Sequence, residues 1–378
     1  MYLDIRTGKK IHEETRDIFG TWLGYSSEYK LLLQATRPSG DMLHGEEGRR
    51  MIAYNAGNRE KIWDKTMTYG NPPIIHNDKI YCNGNGWHLL TGEPIVDKDP
   101  VTGEDLLWSF KREYGCGIVA ASEHLLTFRS ASAGFVNLDV FEGTGSLGGW
   151  KASCSTNLIA ADGVLNSPDY TRTCQCPYQN QTSLALINMP WMTYWTNSNY
   201  KWNGSPIRQL GLNFNAPGDR TSDRNVLWLE FPNAGGTTPD IPVAIDTVNY
   251  FTIRKDPVSV MSENTPWISS SAIGGLRSLE ITLSKEKEVT ETTYRINLYF
   301  SELENKKPGE RVFNIRLQND TVLENFDIAL ESGKNNKEVI RSFAGIKAGK
   351  SLKLDLIPVA GNTILSGIEL VQETVAVK

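Results

Sequence analysis

The sequence lacks any run of eighteen apolar residues, so no segment of it is expected to cross a bilayer as a helix. Its first thirty residues lack the apolar core of a signal peptide, because acidic residues such as Asp4 and Asp17 interrupt them. The chain also lacks an excess of either charge: 39 Lys and Arg stand against 44 Asp and Glu, a net charge of −5. This balance argues against nucleic acid or an anionic membrane as a partner.

Histidine and cysteine are scarce, with five of each. The histidines are spread over residues 12–124, and none has a partner at the spacing of a metal site or a catalytic triad. His88 and His124 fall inside predicted hairpins, which makes packing their expected role. We therefore expect no catalytic residue, and the sequence favours a non-enzymatic protein over an enzyme.

An acidic loop around Pro100 and Gly103 has enough carboxylates to hold a calcium ion. Its acidic residues are Asp97, Asp99, Glu104 and Asp105. An exposed acidic turn is the simpler interpretation of the same residues, so the sequence predicts no required metal.

Aromatic and turn-forming residues, in contrast, are abundant. The 378 residues include 10 Trp, 14 Tyr, 33 Gly and 17 Pro. This composition is typical of an all-β protein with many turns. The length predicts about two domains, each large enough to bury its own core.

A repeat is visible within residues 111–190. Two copies of one pattern follow each other there, each with short apolar strands, a turn and a loop, and residues 120–126 of the first align with residues 160–165 of the second. A period of about forty residues with short strands and no helix is typical of propeller blades.

The hairpin of this repeat recurs upstream. Its copies are Tyr2–Ile11, Met51–Trp63, His88–Ile95 and, more loosely, Asn137–Trp150. In each, an Asp or Asn side chain is expected to cap the turn and a Gly to supply a positive φ, and a Trp or Ile after the turn packs between blades.

These residues resemble the pyrroloquinoline-quinone-type β-propeller repeat, whose blades carry a Leu-Asp-x-x-Thr-Gly-Lys-x-x-Trp motif. The resemblance covers residues 1–190 and is closest to the last blades of large secreted bacterial propeller proteins. Only about four blades can be counted, whereas the family often has about seven or eight. A half-set leaves apolar faces uncovered, so we expect another polypeptide to complete it: an upstream fragment, a second gene product, or a further copy in an oligomer or fibre.

Quinoprotein dehydrogenases with such blades hold the quinone with a stacked Trp, a disulfide between adjacent cysteines and a calcium ion. Here Gln175 separates Cys174 from Cys176, and no group of acidic and amide residues has the spacing of such a calcium site. A propeller used as a scaffold is therefore expected. Pyrroloquinoline quinone or calcium as a cofactor is the alternative.

Four cysteines are expected to meet on one face of the propeller. Cys116 and Cys154 precede the first strands of successive blades, and Cys174 and Cys176 fall in a loop on the same face. Two disulfides are predicted, which implies an oxidising compartment, extracellular or periplasmic. A four-thiolate zinc site is the alternative, although the Cys-Gln-Cys spacing is too short for the usual knuckle. Cys82 is expected to be buried and free.

Aromatic residues crowd the segment 191–206. They are Trp191, Tyr194, Trp195, Tyr200 and Trp202. Such a density is typical of a sugar-stacking platform or of the seam between two domains, and the position directly after the last predicted blade favours the seam.

Residues 207–378 are predicted to form a β-sandwich. Its main predicted strands are 279–283, 293–300, 311–317, 326–330, 339–343, 351–357 and 364–371. The stretches Tyr294–Glu302, Gly309–Ile315 and Ile364–Leu370 resemble a malectin-type domain, a jelly roll related to carbohydrate-binding modules. The complete prediction is an all-β chain of partial propeller blades (1–190), an aromatic linker (191–206) and a malectin-like jelly-roll sandwich (207–378).

The malectin resemblance implies a sugar pocket built from an aromatic pair and an Asp. The aromatic pair aligns with Glu304 and Asn305, and the Asp lies near Gly361 and Asn362. Both departures remove groups that a glucose-type ligand needs, so no affinity for maltose-like disaccharides is expected. Other residues that can stack on a sugar are Tyr250, Phe251, Trp267 and Tyr299, for each of which packing is the simpler role.

Two classes of function remain open from the sequence. The first is a non-enzymatic extracellular or periplasmic recognition or scaffold protein that presents propeller and sandwich surfaces to glycans or proteins, including as a subunit of an extracellular assembly or fibre. The second is part of a quinone-dependent dehydrogenase or carbohydrate-active enzyme, with its catalytic part in the propeller or upstream of Met1. The lack of a catalytic pattern favours the first.

Overall fold

The computed structural model describes residues 2–13, 17–38, 46–115, 117–148, 158–168, 183–189, 192–232 and 241–373. This part of the chain is almost entirely β-structure, as the sequence predicts. It divides into two compact units. The N-terminal unit comprises Met1–Val96, Leu107–Ala133 and Gly149–Leu186; the sandwich unit comprises Asp97–Leu106, Gly134–Gly148 and Ile187–Lys378. None of the helices in the described ranges is long and apolar enough to cross a membrane.

Short strands make up the first part of the chain. They are β1 (Tyr2–Leu3), β2 (Lys10–His12), β3 (Trp22–Ser26), β4 (Leu31–Ala35), β5 (Gly48–Asn55), β6 (Lys61–Tyr69), β7 (Ile74–His76), β8 (Lys79–Tyr81), β9 (Gly86–His88), β10 (Val96–Lys98), β11 (Asp105–Leu107), β12 (Ala120–Ala121), β13 (Leu125–Ser130), β14 (Ser132–Asn137), β15 (Thr144–Ser146), β16 (Ile159–Ala161), β17 (Val164–Ser167), β18 (Leu184–Ile187) and β19 (Thr196–Asn197).

The N-terminal unit is built from small sheets of chain neighbours. Strands β3, β4, β5 and β6 lie in that order in one antiparallel sheet, and β7, β8 and β9 form another. Strand β1 pairs with β2, β12 pairs with β13, and β16, β17 and β18 form a third sheet. Propeller blades are sheets of this kind. The arrangement of such sheets about a common axis, and with it the incomplete propeller, stays a prediction.

The turns between these strands follow the predicted chemistry. In the first hairpin, Asp4 Oδ1 accepts a hydrogen bond from the backbone N–H of Thr7 at 2.7 Å, and Gly8 has a φ of 66°. In the hairpin of β5 and β6, Asn55 Oδ1 accepts a hydrogen bond from the backbone N–H two residues later at 2.9 Å. Arg59 takes the position of the glycine there, with a φ of 67°.

One hydrophobic cluster lies in the first part of the N-terminal unit. It contains Leu31, Leu33, Ala35, Met51, Ala53, Trp63, Tyr69, Ile80, Cys82, Trp87 and Leu89. The indole Nε1 of Trp63 donates a hydrogen bond to the carbonyl of Leu89 at 2.9 Å, which satisfies its one polar group inside this core. Cys82 is fully buried and free, as predicted, and burial raises the pKa of its thiol.

The second part of the chain contains longer strands and two short helices. They are β20 (Gln209–Phe214), β21 (Arg220–Thr221), β22 (Leu227–Phe231), β23 (Val243–Arg254), a 3-10 turn (Pro257–Ser259), α1 (Pro266–Ser269), β24 (Ser271–Thr282), β25 (Thr292–Ser301), β26 (Val312–Leu317), β27 (Asp320–Asp327), α2 (Ile328–Ser332), β28 (Glu338–Ala348), β29 (Ser351–Ala360), β30 (Ile364–Leu365) and β31 (Gly367–Gln372).

Two sheets form the predicted sandwich. Sheet A has the strand order β21-β22-β20-β31-β25-β28. Sheet B has the order β23-β24-β29-β26-β27, with β30 also paired to β24. All pairings in the two sheets are antiparallel except that of β20 with β22.

The sandwich core contains side chains from both sheets. Sheet A contributes Leu212, Leu298 and Ile368, and sheet B contributes Phe313 and Leu354, each no more than 3% exposed. The apolar residues alternate with residues of the opposite face along each strand, the pattern from which the sandwich was predicted.

One predicted strand of the sandwich is wrong at its end. The sequence predicts a strand over 326–330. Strand β27 ends at Asp327, and α2 begins at the next residue. The Asp327 carboxylate accepts a hydrogen bond from the backbone N–H of Leu330 at 3.0 Å, which caps the helix, and Gly333 ends it with a φ of 64°. The Asp cap and the Gly stop are both ordinary helix signals.

The sandwich unit also includes two earlier segments of the chain. In the first, 97–106, Val101 is fully buried in the sandwich core. In the second, 134–148, β14 pairs with β15, which pairs in turn with β19. Segments of the two compact units therefore alternate along the chain. The domain boundaries at residues 190 and 206 stay predictions.

Candidate ligand-binding cleft

A cleft of about 900 Å³ opens on the face of sheet A that points away from the core. Its lining residues are Arg220, Thr221, Ser222, Asp223, Arg224, Met261, Ser262, Glu263, Asn264, Thr265, Trp267, Tyr299, Lys337, Glu338 and Ile340. Ligand pockets commonly measure about 300–1,000 Å³, so this cleft is large enough for a small ligand.

The strands of sheet A place polar side chains under this cleft. In β25, Leu298 points into the core, and its neighbours Asn297 and Tyr299 therefore point to the other face. In β31, Glu369 likewise lies between core residues. Asn297, Tyr299 and Glu369 are all at least 94% buried, since the loop before α1 and α1 itself cover part of this face.

The loop before α1 is fastened to the start of β28. The backbone N–H of Met261 donates to the carbonyl of Asn336 at 2.7 Å, and the N–H of Glu338 donates to the carbonyl of Met261 at 2.9 Å. Pro266 occupies the first turn of α1, where it needs no hydrogen-bond partner for its nitrogen. The loop therefore forms a fixed wall that brings Trp267 over sheet A.

Glu338 accepts hydrogen bonds from three hydroxyl groups. Ser262 Oγ lies 2.7 Å from its carboxylate, Ser269 Oγ lies 2.6 Å away, and Thr265 Oγ1 lies 3.0 Å away. Burial raises the pKa of Glu338, and the hydroxyl hydrogen bonds partly oppose this effect. The carboxylate thus orders the loop, and no Lys or Arg in the described ranges forms an ion pair with it.

Arg224 is held at the mouth of the cleft by a fully buried carboxylate. Its Nη2 lies 2.9 Å from both oxygens of Glu369 and 3.0 Å from the hydroxyl of Tyr299, while 61% of its side chain stays exposed. Asn297 donates a further hydrogen bond to Glu369. Burial raises the pKa of Tyr299, and the charge of Glu369 adds to the increase.

The rings of Trp267 and Tyr299 line the cleft and pack on a third ring, that of Trp228. Trp228 makes edge-to-face contacts with Trp267 and Tyr299, at centroid distances of 5.8 and 5.1 Å. A Cβ at Gly211 would lie 2.2 Å from the Trp228 ring, and one at Gly367 would lie 2.9 Å from it. Glycine at these two positions lets the indole lie directly on sheet A.

Arg220 lies beside these rings. Its guanidinium carbon is 5.0 Å from the ring centroid of Tyr194 and 5.0 Å from that of Trp267. Burial lowers the pKa of Arg220, and Tyr194 and Glu142 partly oppose this effect. Two cation–π contacts stabilise the positive charge in this partly buried position.

The structure brings together four of the aromatic residues singled out from the sequence. Tyr194, Trp267 and Tyr299 contact Arg220 or line the cleft, and Trp195 packs edge-to-face on Trp267 at 6.0 Å. Tyr299 and Trp267 are 1% and 4% exposed. These rings therefore support the cleft and offer little free surface for stacking on a sugar.

The remaining aromatic candidates lie elsewhere. Tyr200 is buried and donates from its hydroxyl to the carboxylate of Asp99 at 2.7 Å. Trp202 donates a hydrogen bond to the carbonyl of Ser205 at 2.8 Å, and Lys285 Nζ lies 4.9 Å from its ring. Trp191 lies outside the described residues. Tyr200 and Trp202 belong to the core of the sandwich unit.

Tyr250 and Phe251 lie on β23, at the edge of sheet B, and do not line the cleft. Tyr250 is 45% exposed. A Cβ at Gly274 would lie 1.9 Å from the Phe251 ring, so that ring packs directly on strand β24. Packing is therefore the observed role of Phe251.

The acidic loop considered for calcium is a structural turn. Asp99 is 8% exposed, and its Oδ1 accepts hydrogen bonds from the backbone N–H groups of Val101 and Thr102 at 2.8 and 2.9 Å. Its carboxylate thus accepts hydrogen bonds from the turn and from Tyr200. Asp99 is therefore buried, whereas the sequence predicts an exposed acidic turn. Within the described ranges, no group of three or more His, Cys, Asp or Glu residues is placed to hold a metal ion. Cys116, Cys154, Cys174 and Cys176 lie outside those ranges.

The positions that correspond to the malectin sugar pocket are used internally. Arg311 is 1% exposed, and its Nη1 donates to the carboxylate of Glu302 at 2.8 Å. Its Nη2 donates to Glu304 and to Asn362 Oδ1, the latter at 3.1 Å. Glu304 and Asn362 both bond to Arg311, so a buried arginine occupies the space between these two positions.

Sequence reasoning did not single out the charged residues of the cleft. Arg220, Arg224, Glu338 and Glu369 all lie in segments that read as ordinary strands or loops. One signal was available: Asn297 and Glu369 are polar residues between apolar neighbours in strands of a sandwich, where a buried polar group needs a partner. The partner, Arg224, could not be identified without the fold.

A family model described as a malectin domain matches residues 280–364. This segment runs from β24 to β30 and contains the Arg311 network. The sandwich thus contains a malectin domain, as the resemblance implied. No curated protein matches the chain.

Several solved structures match part of the chain at low identity and low TM-score. β-Glucuronidase 2 of Bacteroides uniformis is 16% identical over 44% of this chain and 18% of its own, with a TM-score of 0.35. The ANX2 ectodomain of Arabidopsis thaliana is 15% identical over 44% of this chain and 50% of its own, with a TM-score of 0.34. The complex of the plant peptide RALF23 with FER and LLG2 is 18% identical over 52% of this chain and 58% of that chain, with a TM-score of 0.35. The chain therefore spans less than two thirds of the length of each of these structures.

Proposed function

We propose that this protein is a non-enzymatic recognition protein and that the cleft on sheet A binds a glycan. The observation that carries the proposal is the density of fixed polar groups around the opening, where hydroxyls, carboxylates and two arginines are held by buried partners. A ligand with many hydroxyl groups offers donors and acceptors for such a surface. Groups that are ordered before binding lose less entropy when the ligand arrives.

Recognition fits the two hydrogen-bonded carboxylates at this site, Glu338 and Glu369, better than catalysis does. Glu338 already accepts hydrogen bonds from three hydroxyls, and Glu369 from Arg224 and Asn297. A glycosidase needs one carboxyl group free to give up a proton and a second free to act as a nucleophile or base. Carboxylates that are held by fixed partners are instead suited to shaping a binding surface.

We also propose an extracellular or periplasmic location, since glycans are abundant there, and a protein partner for the N-terminal unit. Support for the partner comes from exposed apolar residues near β1–β3: Ile5 is fully exposed, Leu23 is 66% exposed and Tyr25 is 55% exposed. Contiguous exposed apolar surface often marks an interaction site, and we propose that these three side chains contribute to one. Light scattering that found only a monodisperse 42.2 kDa monomer would argue against a self-assembled partner.

The glycan proposal is tested by calorimetry on the intact chain with a panel of cello-, xylo-, manno- and galacto-oligosaccharides, chitotriose and maltose. Binding of at least one member other than maltose is expected. Arg224→Gln should weaken that binding by about ten-fold, because a hydrogen bond from a charged group contributes roughly 1.5–3 kcal/mol.

Arg316→Gln is the matched control, because Arg316 is an arginine of the same unit that does not line the cleft and that donates to the carbonyl of Asn319. It should leave the affinity unchanged. The proposal fails if no oligosaccharide binds, or if Arg224→Gln and Arg316→Gln bind equally well.

A further inference from the structure

Arg220 differs from the other arginine of the cleft in how its charge is held. Arg224 is bonded through Nη2 to Glu369 and Tyr299. Among the described residues, the side chain of Arg220 contacts the rings of Tyr194 and Trp267, and no carboxylate lies within ion-pair distance of it. Contact with a ring face uses no N–H group, so the donors of the Arg220 guanidinium stay available.

One of these donors is buried without a partner. Nη1 of Arg220 has no hydrogen bond to any described residue, although it is closed off from the surface. Buried donors are nearly always bonded in native proteins. Arg220 lines the cleft, so a rotation of its guanidinium would turn this donor toward an acceptor oxygen of a bound molecule.

A hydrogen bond outside the cleft fixes one of the two rings. The hydroxyl of Tyr194 donates to the carboxylate of Glu142, at 3.1 and 3.2 Å from its two oxygens. Glu142 is 1% exposed and lies between β14 and β15, where Thr196 Oγ1 also donates to its carbonyl. The ring of Tyr194 is thereby held at its far end, and the guanidinium of Arg220 rests against it.

We propose that Arg220 is the residue that donates to a hydroxyl oxygen of the glycan, and that Glu142 is a positioning residue that acts on Arg220 through Tyr194. This inference rests on the proposed function. It assigns two arginines different tasks in one cleft: Arg224 is a paired cation at the mouth, and Arg220 is an unpaired donor on the floor.

The first test uses the oligosaccharide of the panel that the wild-type chain binds most tightly. Arg220→Met should weaken its binding by about ten-fold or more, since the loss of a charged donor has that size. Arg220→Lys retains the charge but not the planar set of donors, and it should recover only part of the affinity.

The positioning role is tested with a matched pair at Glu142. Glu142→Gln keeps an acceptor for the Tyr194 hydroxyl and should bind nearly as the wild type does, whereas Glu142→Leu should weaken binding by about three-fold. In an Arg220→Met background, Glu142→Leu should have no further effect, because the two residues act in series. If Glu142→Leu does not fold, Tyr194→Phe removes the same hydrogen bond and keeps the ring.

The outcomes separate the two proposals. If Arg220→Met binds as the wild type does while Arg224→Gln is weakened, the role of Arg220 is wrong and the glycan-binding function stands. If Glu142→Leu weakens binding equally with and without Arg220, Glu142 has a general structural role and the positioning proposal is wrong. If the wild-type chain binds no member of the panel, both proposals are wrong.

Discussion

The two units place their charged residues differently. In the N-terminal unit, Asp64 pairs with Arg50 at 2.6 Å and with Lys61 at 2.7 Å, and the three side chains are 27–39% exposed. In the sandwich unit, Arg311 and Glu302 pair at 2.8 Å with at most 1% exposure. Exposed pairs contribute little to stability, whereas a buried pair tolerates no loss of one partner, because the other charge is then left in a dry environment.

The two units also differ in how far apart their paired strands lie in the sequence. In the N-terminal unit each sheet joins neighbours along the chain, as β3 to β6 do. In the sandwich, β20 pairs with β31, so that Leu212 lies opposite Ile368. Local pairing can be inferred from turns and alternation, whereas distant pairing depends on the whole fold.

The largest expected effect is on the buried pair. Arg311→Ala should lower the free energy of unfolding by about 3–5 kcal/mol, because it leaves Glu302 buried without its cation. Arg50→Ala, the matched change in the N-terminal unit, should lower it by about 1 kcal/mol or less. Denaturant unfolding measured by circular dichroism would compare them. Equal losses would show that burial does not distinguish the two units.

A smaller effect is expected at a turn that occurs in both units. Asp99→Ala should lower the free energy of unfolding by about 2–3 kcal/mol, because the buried hydroxyl of Tyr200 and two backbone N–H groups lose their acceptor. Asp4→Ala removes the corresponding acceptor from an exposed turn and should have a clearly smaller effect. Thermal unfolding of both variants is the measurement, and a larger loss for Asp4→Ala would contradict the comparison.

The smallest effect is on pH dependence, and its sign should differ between the units. Hydrogen bonds from Arg50, and then from Lys61, lower the pKa of Asp64 from 3.8 to about 2. The resulting stabilisation is present above the unfolded-state pKa and is lost as the pH falls toward 2. Burial raises the pKa of Glu338 above 4.5. The stabilisation of the folded state by its protonated form is therefore present below 4.5 and is lost as the pH rises through the folded-state pKa.

Unfolding free energies measured between pH 3 and pH 7 would test this difference. The stability advantage of the wild type over Asp64→Asn should grow as the pH rises, and its advantage over Glu338→Gln should shrink. Parallel changes in the two comparisons would show that one of the two environments is misassigned.

What could be predicted from the sequence follows this division between local and distant contacts. Asp4 and Gly8, or Asp99 and Gly103, mark their turns within five residues, and alternation marks strands such as β25. Arg220, Tyr194 and Glu142 are brought together from three separate segments, and no local pattern connects them. Arg311, which bonds to Glu304 and Asn362 at the malectin-type positions, precedes a strand like many other residues, and no local pattern marks it as their partner.

The interleaving of the two units restricts how this gene can be cut and recombined. A crossover at residue 190 would separate Glu142 from Tyr194, and one at residue 206 would separate Tyr194 from Arg220. Either crossover would separate Val101 from the sandwich core. A fragment that starts at residue 207 would also lack Tyr200, Trp202 and the hairpin of β10 and β11. The malectin-type sandwich of this protein is therefore not a transferable module with a single entry point, and a functional graft would have to carry residues 97–106 and 134–148 with it.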